Sequence, residues 1–186
     1  MEGREMKRMI AMMLCIAVFL SLSAAAFADA SISKKSGGSA GGRSGRISIS
    51  SVYASSELIY EGKTFRARYA VDNDTSTCWQ EGVSGKGIGE TITLEFDGYH
   101  DVRKMAFVIG YTKSNGAFER NGRPSKLNVL FSSGDEFTVQ LDDMSSWQTV
   151  SMPYTVSARW VVFEIAGVYS GTTYNDTCIS EIALYE

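Results

Sequence analysis

The stretch of this sequence with the densest reactive chemistry is Val71–Trp79, which reads VDNDTSTCW. It carries two carboxylates, three hydroxyl side chains and one cysteine directly before a tryptophan. Oxygens at this density could bind Ca²⁺, which takes about six to eight hard oxygen ligands from flexible loops. An EF-hand is excluded, because Thr77 stands where the sixth position requires glycine and Val83 stands where the twelfth requires glutamate. The alternative is a turn whose Asx side chains accept hydrogen bonds from their own backbone.

The residues needed for catalysis are scarce in this chain. His100 is the single histidine, and it lies in the turn sequence DGYHD between two predicted strands. One histidine excludes a multi-histidine metal site, and no nucleophile is placed for a Ser-His-Asp triad. The glycine-rich segment 81–90, EGVSGKGIGE, does not match the phosphate-binding pattern GxxxxGK(S/T), and a predicted strand follows it instead of a helix. We therefore predict a non-enzyme in which segment 81–90 is an exposed loop that can still line a ligand site.

Alternating apolar and polar residues, the period of a half-buried β-strand, dominate the sequence after residue 46. In TITLEF (91–96), for example, Ile92, Leu94 and Phe96 share one face. The segment SSGD (132–135) reads as the turn of a hairpin. Other predicted strands are Met105–Tyr111, Lys126–Phe131, Glu136–Leu141, Gln148–Met152, Arg159–Ile165 and Ile179–Tyr185. With no convincing helix after the N-terminal apolar run, the pattern predicts an all-β fold, an antiparallel β-sandwich or jelly roll.

The N-terminus predicts a secretory signal peptide over residues 1–28. Basic residues precede an uninterrupted apolar run over residues 9–20, and Ala26 and Ala28 suit a cleavage site after Ala28. The alternative is an uncleaved anchor, because the apolar zone can be extended through Phe27 to the roughly 20 residues that a membrane span requires. We expect cleavage and a secreted, extracellular protein, which meets a membrane only if this segment stays uncleaved.

Residues 29–46 are predicted to form a flexible linker before a single folded domain over residues 47–186. Residues 31–46 contain ten Ser or Gly, four basic residues and no acidic residue, a composition that buries too little apolar surface to fold. Without the signal peptide, Lys plus Arg falls from 18 to 15 and Asp plus Glu from 21 to 19, a net charge of −4. A mildly acidic chain of this kind is not expected to bind nucleic acid.

Residues 70–79, AVDNDTSTCW, resemble the A-x-D-G-D-x-x-T-x-W loop of the discoidin family, also called coagulation-factor type C or galactose-binding-like jelly rolls. The subgroup known as the NADase-type glycan-binding, or translocation, domain is more similar still. Its motifs resemble, in order, WQEG (79–82) with GIGE (87–90), GYTK (110–113), NGRP (121–124), VYSG (168–171) and YNDTCISEI (174–182). The resemblance covers about residues 50–186 and implies a discoidin-like jelly roll. Asn73 departs from it, since many discoidin domains have glycine there.

The resemblance also implies a structural Ca²⁺ site between the Val71–Trp79 loop and a glutamate near the C-terminus. Carried over to this sequence, the side-chain ligands are Asp72, Asp74, Thr77 and Glu181, completed by backbone carbonyls. Ca²⁺ is therefore the expected cofactor, and the self-capped turn remains the alternative for the same residues.

Two cysteines remain after removal of the signal peptide, Cys78 and Cys178. An even pair in an exported chain predicts a disulfide, because the compartments that receive such chains are oxidising. The resemblance places both cysteines at one corner, since it brings the loop of Asp72 beside the segment of Glu181. Two buried free thiols are the alternative.

The resemblance implies carbohydrate binding, with phospholipid or protein binding as other uses of discoidin jelly rolls. A sugar site combines an aromatic face with planar polar groups that pair with hydroxyls. The loops could supply both from eight residues: Tyr111, Lys113, Asn115, Phe118, Asn121, Arg123, Tyr169 and Tyr174. Ordinary packing is the alternative for each aromatic and an exposed salt bridge for Arg123, whereas Trp79 is expected in the core.

These observations predict a secreted, non-catalytic module that binds a glycan on a cell surface or in the extracellular matrix or envelope. The alternative is an adhesion module that recognises anionic lipid or a protein partner. A long loop with two or three apolar side chains would favour lipid, and the loop at residues 84–89 offers only Ile88.

Overall fold

The computed structural model describes residues 34–35 and 45–186 of the chain. The predicted signal peptide lies outside the described residues, as does most of the predicted linker. Within the described part, no helix is both long and apolar enough to cross a membrane.

The described residues form antiparallel strands with very little helix, which confirms the predicted all-β class. One 3-10 helix spans Ala67–Ala70, and one α-helix, α1, spans Asn115–Arg120. The strands are β1 (Lys34–Lys35), β2 (Ile49–Ala54), β3 (Ile59–Tyr60), β4 (Lys63–Thr64), β5 (Trp79–Gln80), β6 (Thr91–Ile109), β7 (Arg123–Phe131), β8 (Glu136–Gln140), β9 (Gln148–Tyr169) and β10 (Cys178–Tyr185).

Strands β6 and β9 run through both layers of a sandwich. The first half of β6 pairs with β2 and with the second half of β9, and β7 and β8 extend that layer. The second half of β6 pairs with β10 and with the first half of β9, and β5 and β1 extend the other layer. Register shifts between Glu95 and His100 and between Val102 and Lys104 mark where β6 bends. The sequence predicted each long strand as two short ones, since the bend interrupts the alternation of polarity.

The core lies between the two layers. Phe107 in the second half of β6 meets Phe163 in the second half of β9 edge to face, with ring centroids 5.5 Å apart. These residues are not paired with each other along the ladder, so their contact joins the opposed layers. Trp79 is fully buried in the same cluster and its Nε1 donates to the Ser56 carbonyl, which confirms the expected core position.

Residues of the predicted linker pair with the domain: Lys34 and Lys35 pair with β9, and Gly45 and Arg46 pair with the end of the chain. Gly45 accepts a backbone hydrogen bond from Glu186, and Arg46 forms a β-bridge with Tyr185. Ile47 is buried, and its N–H donates to the Leu184 carbonyl. The sequence assigned Gly45 and Arg46 to the linker because polar, glycine-rich composition conceals backbone pairing with the distant last strand.

Candidate functional site

The Val71–Trp79 loop folds as a self-capped turn. The Asp72 carboxylate accepts from the Asp74 N–H and from the Thr77 hydroxyl, each at 2.9 Å. Asp74 accepts from the Ser76 N–H at 2.9 Å and from its hydroxyl at 2.6 Å, which lowers the pKa of Asp74. Asn73 has a φ of 66°, in the left-handed region that glycine enters freely and asparagine tolerates. The same conformation explains how Asn73 can stand where the related loops carry glycine.

Glu181 projects from β10 towards this loop and is fully buried. Its Oε2 accepts from the Asn73 N–H at 2.9 Å, and its Oε1 accepts from the Arg46 guanidinium at 2.9 Å. Burial raises the pKa of Glu181 to about 7, although the hydrogen bond from Arg46 acts in the opposite direction. The turn and the end of β10 are thus joined through one carboxylate.

The four predicted calcium ligands lie at one corner, but their oxygens are already engaged. Asp72 bonds to Asp74 and Thr77, while Glu181 bonds to Arg46 and Asn73. Among the described residues, no group of three or more His, Cys, Asp or Glu side chains is placed to hold a metal ion. As arranged, these side chains do not fit a calcium ion, because a guanidinium stands against the buried carboxylate.

Cys78 and Cys178 come together beneath the same corner. Cys178 pairs with Gln80 in the ladder between β5 and β10, so Cys78 is its diagonal neighbour. Both side chains are buried free thiols here, and the disulfide between them stays a prediction. Burial, followed by a hydrogen bond with Cys78, raises the pKa of the Cys178 thiol.

A second set of contacts ties the glycine-rich loop to the segment before β10. Buried Glu81 accepts from the Thr177 and Val83 N–H groups, each at 2.9 Å. The Thr177 hydroxyl donates to the Lys86 carbonyl at 2.9 Å. A Cβ at Gly87 would overlap the Glu81 side chain, so the loop needs glycine there. Burial raises the pKa of Glu81.

The segment before β10 also lies against α1. Thr172 and Tyr174 donate through their backbone N–H groups to the carbonyls of Glu119 and Arg120, at 3.0 and 2.8 Å. The Gly122 N–H donates to the Asp176 carbonyl at 3.0 Å. The loops that carry the predicted ligand residues therefore converge on one end of the sandwich.

Four of the eight predicted ligand residues hold this end together. Arg123 is buried, pairs with Asp143 through two nitrogens, and lies over the Phe118 ring at 4.5 Å. Asn121 is buried between the Gln80 amide and the Ala117 carbonyl, and the Tyr169 hydroxyl donates to the Leu141 carbonyl. These partners give Arg123, Phe118, Asn121 and Tyr169 a packing role, contrary to the expectation of ligand contact. The motifs located the loops at this end of the sandwich, but they could not distinguish the side chains that pack there from those that are exposed.

Of the other four predicted residues, three are exposed and one is half-buried. Lys113, Asn115 and Tyr174 are exposed. Tyr111 is half-buried, packs edge to face on Phe65 at 5.9 Å, and has a pKa raised by burial and by the nearby thiols. Tyr111 therefore links the cysteine pair to the loops rather than presenting its ring to solvent.

The sequence analysis missed one exposed aromatic residue, Tyr60, which interacts electrostatically with Tyr174. Tyr60 is 53% exposed and Tyr174 is 43% exposed. Electrostatic interaction with Glu61, and then with Tyr174, raises the pKa of the Tyr60 hydroxyl. Tyr60 lies on the hairpin of β3 and β4, whose turn residues Glu61 and Gly62 have φ of 49° and 73°. The Glu-Gly turn signal could have located this hairpin; we refer to Tyr60 and Tyr174 as the tyrosine platform.

Structures with known ligands share this fold. The CBM32-1 and CBM32-2 domains of Clostridium perfringens ZmpB in complex with GalNAc match with a TM-score of 0.60 at 14% identity, over 76% of this chain and 35% of that one. The chain thus spans about a third of the ZmpB structure. The family 32 CBM of C. perfringens NanJ in complex with galactose matches with a TM-score of 0.55 at 18% identity, over 73% and 93% of the two chains. The CBM32 of AlyQ in complex with 4,5-unsaturated mannuronic acid matches with a TM-score of 0.54 at 18% identity, over 76% of this chain and 98% of that one.

At these identities the likeness establishes the discoidin-like sandwich, which was the predicted fold. A comparison with curated proteins found no match. Residues 44–185 match the family model described as the NAD glycohydrolase translocation F5/8 type C domain. The motif resemblance is thereby confirmed, and the chain belongs to the NAD glycohydrolase translocation F5/8 type C domain family.

Proposed function

We propose that this protein is a secreted, non-catalytic module that binds a glycan through the loop end of its sandwich. The observation that carries the proposal is the tyrosine platform, two exposed aromatic side chains in the loops whose hydroxyl groups interact electrostatically. Sugars present apolar ring faces that pack on aromatic side chains and hydroxyl groups that pair with planar polar groups. Carbohydrate-binding modules of the same fold, some with galactose or GalNAc bound, support this choice of ligand class.

Polar groups of the same loops could pair with sugar hydroxyls. Asp176 is only partly exposed, and its burial raises the pKa of its carboxyl group. Lys113 and Asn115 are exposed at the start of α1, whose C-terminal end accepts hydrogen bonds from the segment of Tyr174. We assign sugar stacking to Tyr60 and Tyr174 and hydroxyl pairing to Asp176, Lys113 and Asn115.

Glycan binding is tested by titration calorimetry with galactose and GalNAc, after a glycan array has ranked the ligands. We expect Tyr60→Ala and Tyr174→Ala each to weaken binding by about fivefold, because an aromatic contact contributes on the order of 1 kcal/mol. The matched control is Tyr99→Ala, whose tyrosine is 71% exposed in the turn within β6 and away from these loops. An equal loss in the control, or unchanged affinity in both platform variants, would refute this site.

The alternative ligand, an anionic lipid surface, has support from one loop. Val83 and Ile88 are 38% and 59% exposed on the glycine-rich loop, one apolar side chain more than the sequence analysis counted. Strong binding to phosphatidylserine vesicles, lost in Ile88→Ser and accompanied by no glycan binding, would favour this alternative. The cell-surface, matrix or envelope glycan that we propose as partner is tested by following the exported protein in cell fractions.

A further inference from the structure

Arg46 contacts the corner where the four predicted calcium ligands lie. Its guanidinium donates to the Asn73 side-chain oxygen, to Glu181 Oε1 at 2.9 Å and to the Ile182 carbonyl at 3.4 Å. These oxygens come from the self-capped turn and from β10, two segments more than 100 residues apart in the chain. One positive group therefore collects oxygens from two distant segments.

The buried Glu181 carboxylate requires such a group. Its side chain is inaccessible to solvent, whereas that of Arg46 is 22% exposed. Removing a carboxylate from water costs several kcal/mol unless opposite charge and hydrogen bonds replace the water. Glu181 has both, since Arg46 supplies the charge and a donor while the Asn73 N–H supplies a second donor.

The oxygens around the guanidinium are of the kinds that a hard cation also binds. Carboxylate, amide and backbone carbonyl oxygens are typical calcium ligands, and all three types contact Arg46. We propose that the Arg46 guanidinium serves as the cation of this corner, in the place where a calcium ion would otherwise join Glu181 to the Asp72–Thr77 turn. The domain then folds without added calcium.

A cation carried by the chain also attaches the preceding segment to the fold. Arg46 is bridged through its backbone to Tyr185, and Gly45 accepts from the Glu186 N–H. The point at which the predicted linker enters the domain is therefore fixed beside the self-capped turn. Chelators would leave this attachment intact, whereas loss of the Arg46 side chain would leave only its backbone bonds.

The test measures Tm of the purified protein in EDTA, in 5 mM CaCl₂ and in 5 mM MgCl₂ (about these concentrations). The wild-type Tm is expected to be the same in all three. Arg46→Ala is expected to lower Tm by at least about 5 °C, because it leaves a buried carboxylate without its opposite charge. CaCl₂ should recover part of that loss, and titration calorimetry should detect calcium binding to the variant alone.

Arg103→Ala is the matched control, because Arg103 is exposed and its Nε donates to the Thr155 hydroxyl at 3.2 Å on the surface. It should change neither Tm nor the response to calcium. Arg46→Lys keeps the positive charge, so its Tm should fall less than that of Arg46→Ala and should not change with calcium. If Arg46→Ala does not fold, Arg46→Lys takes its place in the test. A saturable rise of the wild-type Tm with calcium would overturn the proposal. So would an Arg46→Ala protein that keeps the wild-type Tm, or one that loses stability without binding calcium.

Discussion

At the scale of single residues, Arg123 shows how a polar side chain in a binding loop can be a structural support. Its guanidinium makes two contacts with Asp143, donates to the Asn121 carbonyl at 3.2 Å and stacks on Phe118. Few donors remain for a ligand. Gly110 completes the arrangement, since a Cβ there would overlap the Phe118 ring.

Arg123→Ala is therefore expected to act on stability before it acts on binding. The free energy of unfolding should fall by about 1–3 kcal/mol, because Asp143 is half-exposed and the pair is only partly desolvated. Urea denaturation measures the loss, with the exposed Arg159→Ala as the control. Unchanged stability together with abolished glycan binding would return Arg123 to the ligand site.

At the scale of elements, the thiols of Cys78 and Cys178 connect the start of β5 to the start of β10. Their sequence separation closes a loop of roughly 100 residues, for which a disulfide contributes on the order of 2–5 kcal/mol. Oxidation would remove one hydrogen from each thiol and pass two electrons to an acceptor such as oxidised glutathione. The bond would also brace Tyr111 and the segment that carries Tyr174.

The protein exported to an oxidising compartment is expected to contain this disulfide. Alkylation with iodoacetamide under denaturing, unreduced conditions should then modify neither Cys78 nor Cys178 in a mass spectrum. Reductant should lower the Tm of the wild type but leave that of the Cys78→Ser/Cys178→Ser variant unchanged. Two alkylated cysteines in the exported protein would contradict the prediction and leave a pair of buried thiols.

At the scale of the whole molecule, β6 and β9 make the two layers one cooperative unit, since each strand contributes to both. His100 lies at the bend of β6 and holds the C-terminal residue. Its ring nitrogens lie 2.6 Å from Asp97 Oδ1 and 2.7 Å from Glu186 Oε1, and hydrogen bonds with these carboxylates raise the pKa of His100.

The raised pKa of His100 predicts a pH-dependent contribution to global stability. The contribution is complete below the unfolded pKa of about 6.5 and is lost as pH rises through the higher folded value. Because the His100 site is partly exposed, we expect its contribution to the free energy of unfolding to be less than about 1 kcal/mol. The Tm difference between wild type and His100→Gln should be larger at pH 5.5 than at pH 8.5 (about these values); an equal difference at both pH values would rule out this contribution.

Much of the fold was predictable because it depends on neighbours along the chain. The alternation in TITLEF assigns alternate residues to the core, and Ile92, Leu94 and Phe96 are buried as expected. Asx residues cap amides two positions away, so the turn at Asp72 and Asp74 needs no distant partner. The helix α1 was missed because six residues are too few to show a helical repeat of apolar residues, although the Ser114 hydroxyl caps it by accepting from the Ala117 N–H.

The sequence predicted where the candidate site lies, but not which of its side chains are exposed. The motifs located the converging loops, but whether Asn121 and Tyr174 face inward or outward depends on residues that lie far along the chain. Tyr60 escaped notice because its exposure follows from how the short hairpin sits on the loops. Sequence spacing contains no information on that placement.

The β-class, the family motifs and the two cysteines after residue 28 could be read from the sequence alone, whereas the sequence left open whether the Val71–Trp79 loop binds calcium or caps itself. The partners depend on tertiary structure: Arg46 for Glu181 and Asp143 for Arg123. The physical reason is range. Strand and turn preferences arise from contacts within a few residues, whereas Arg46 and Glu181 are 135 residues apart and meet only when the last strand pairs beside the first residues of the domain.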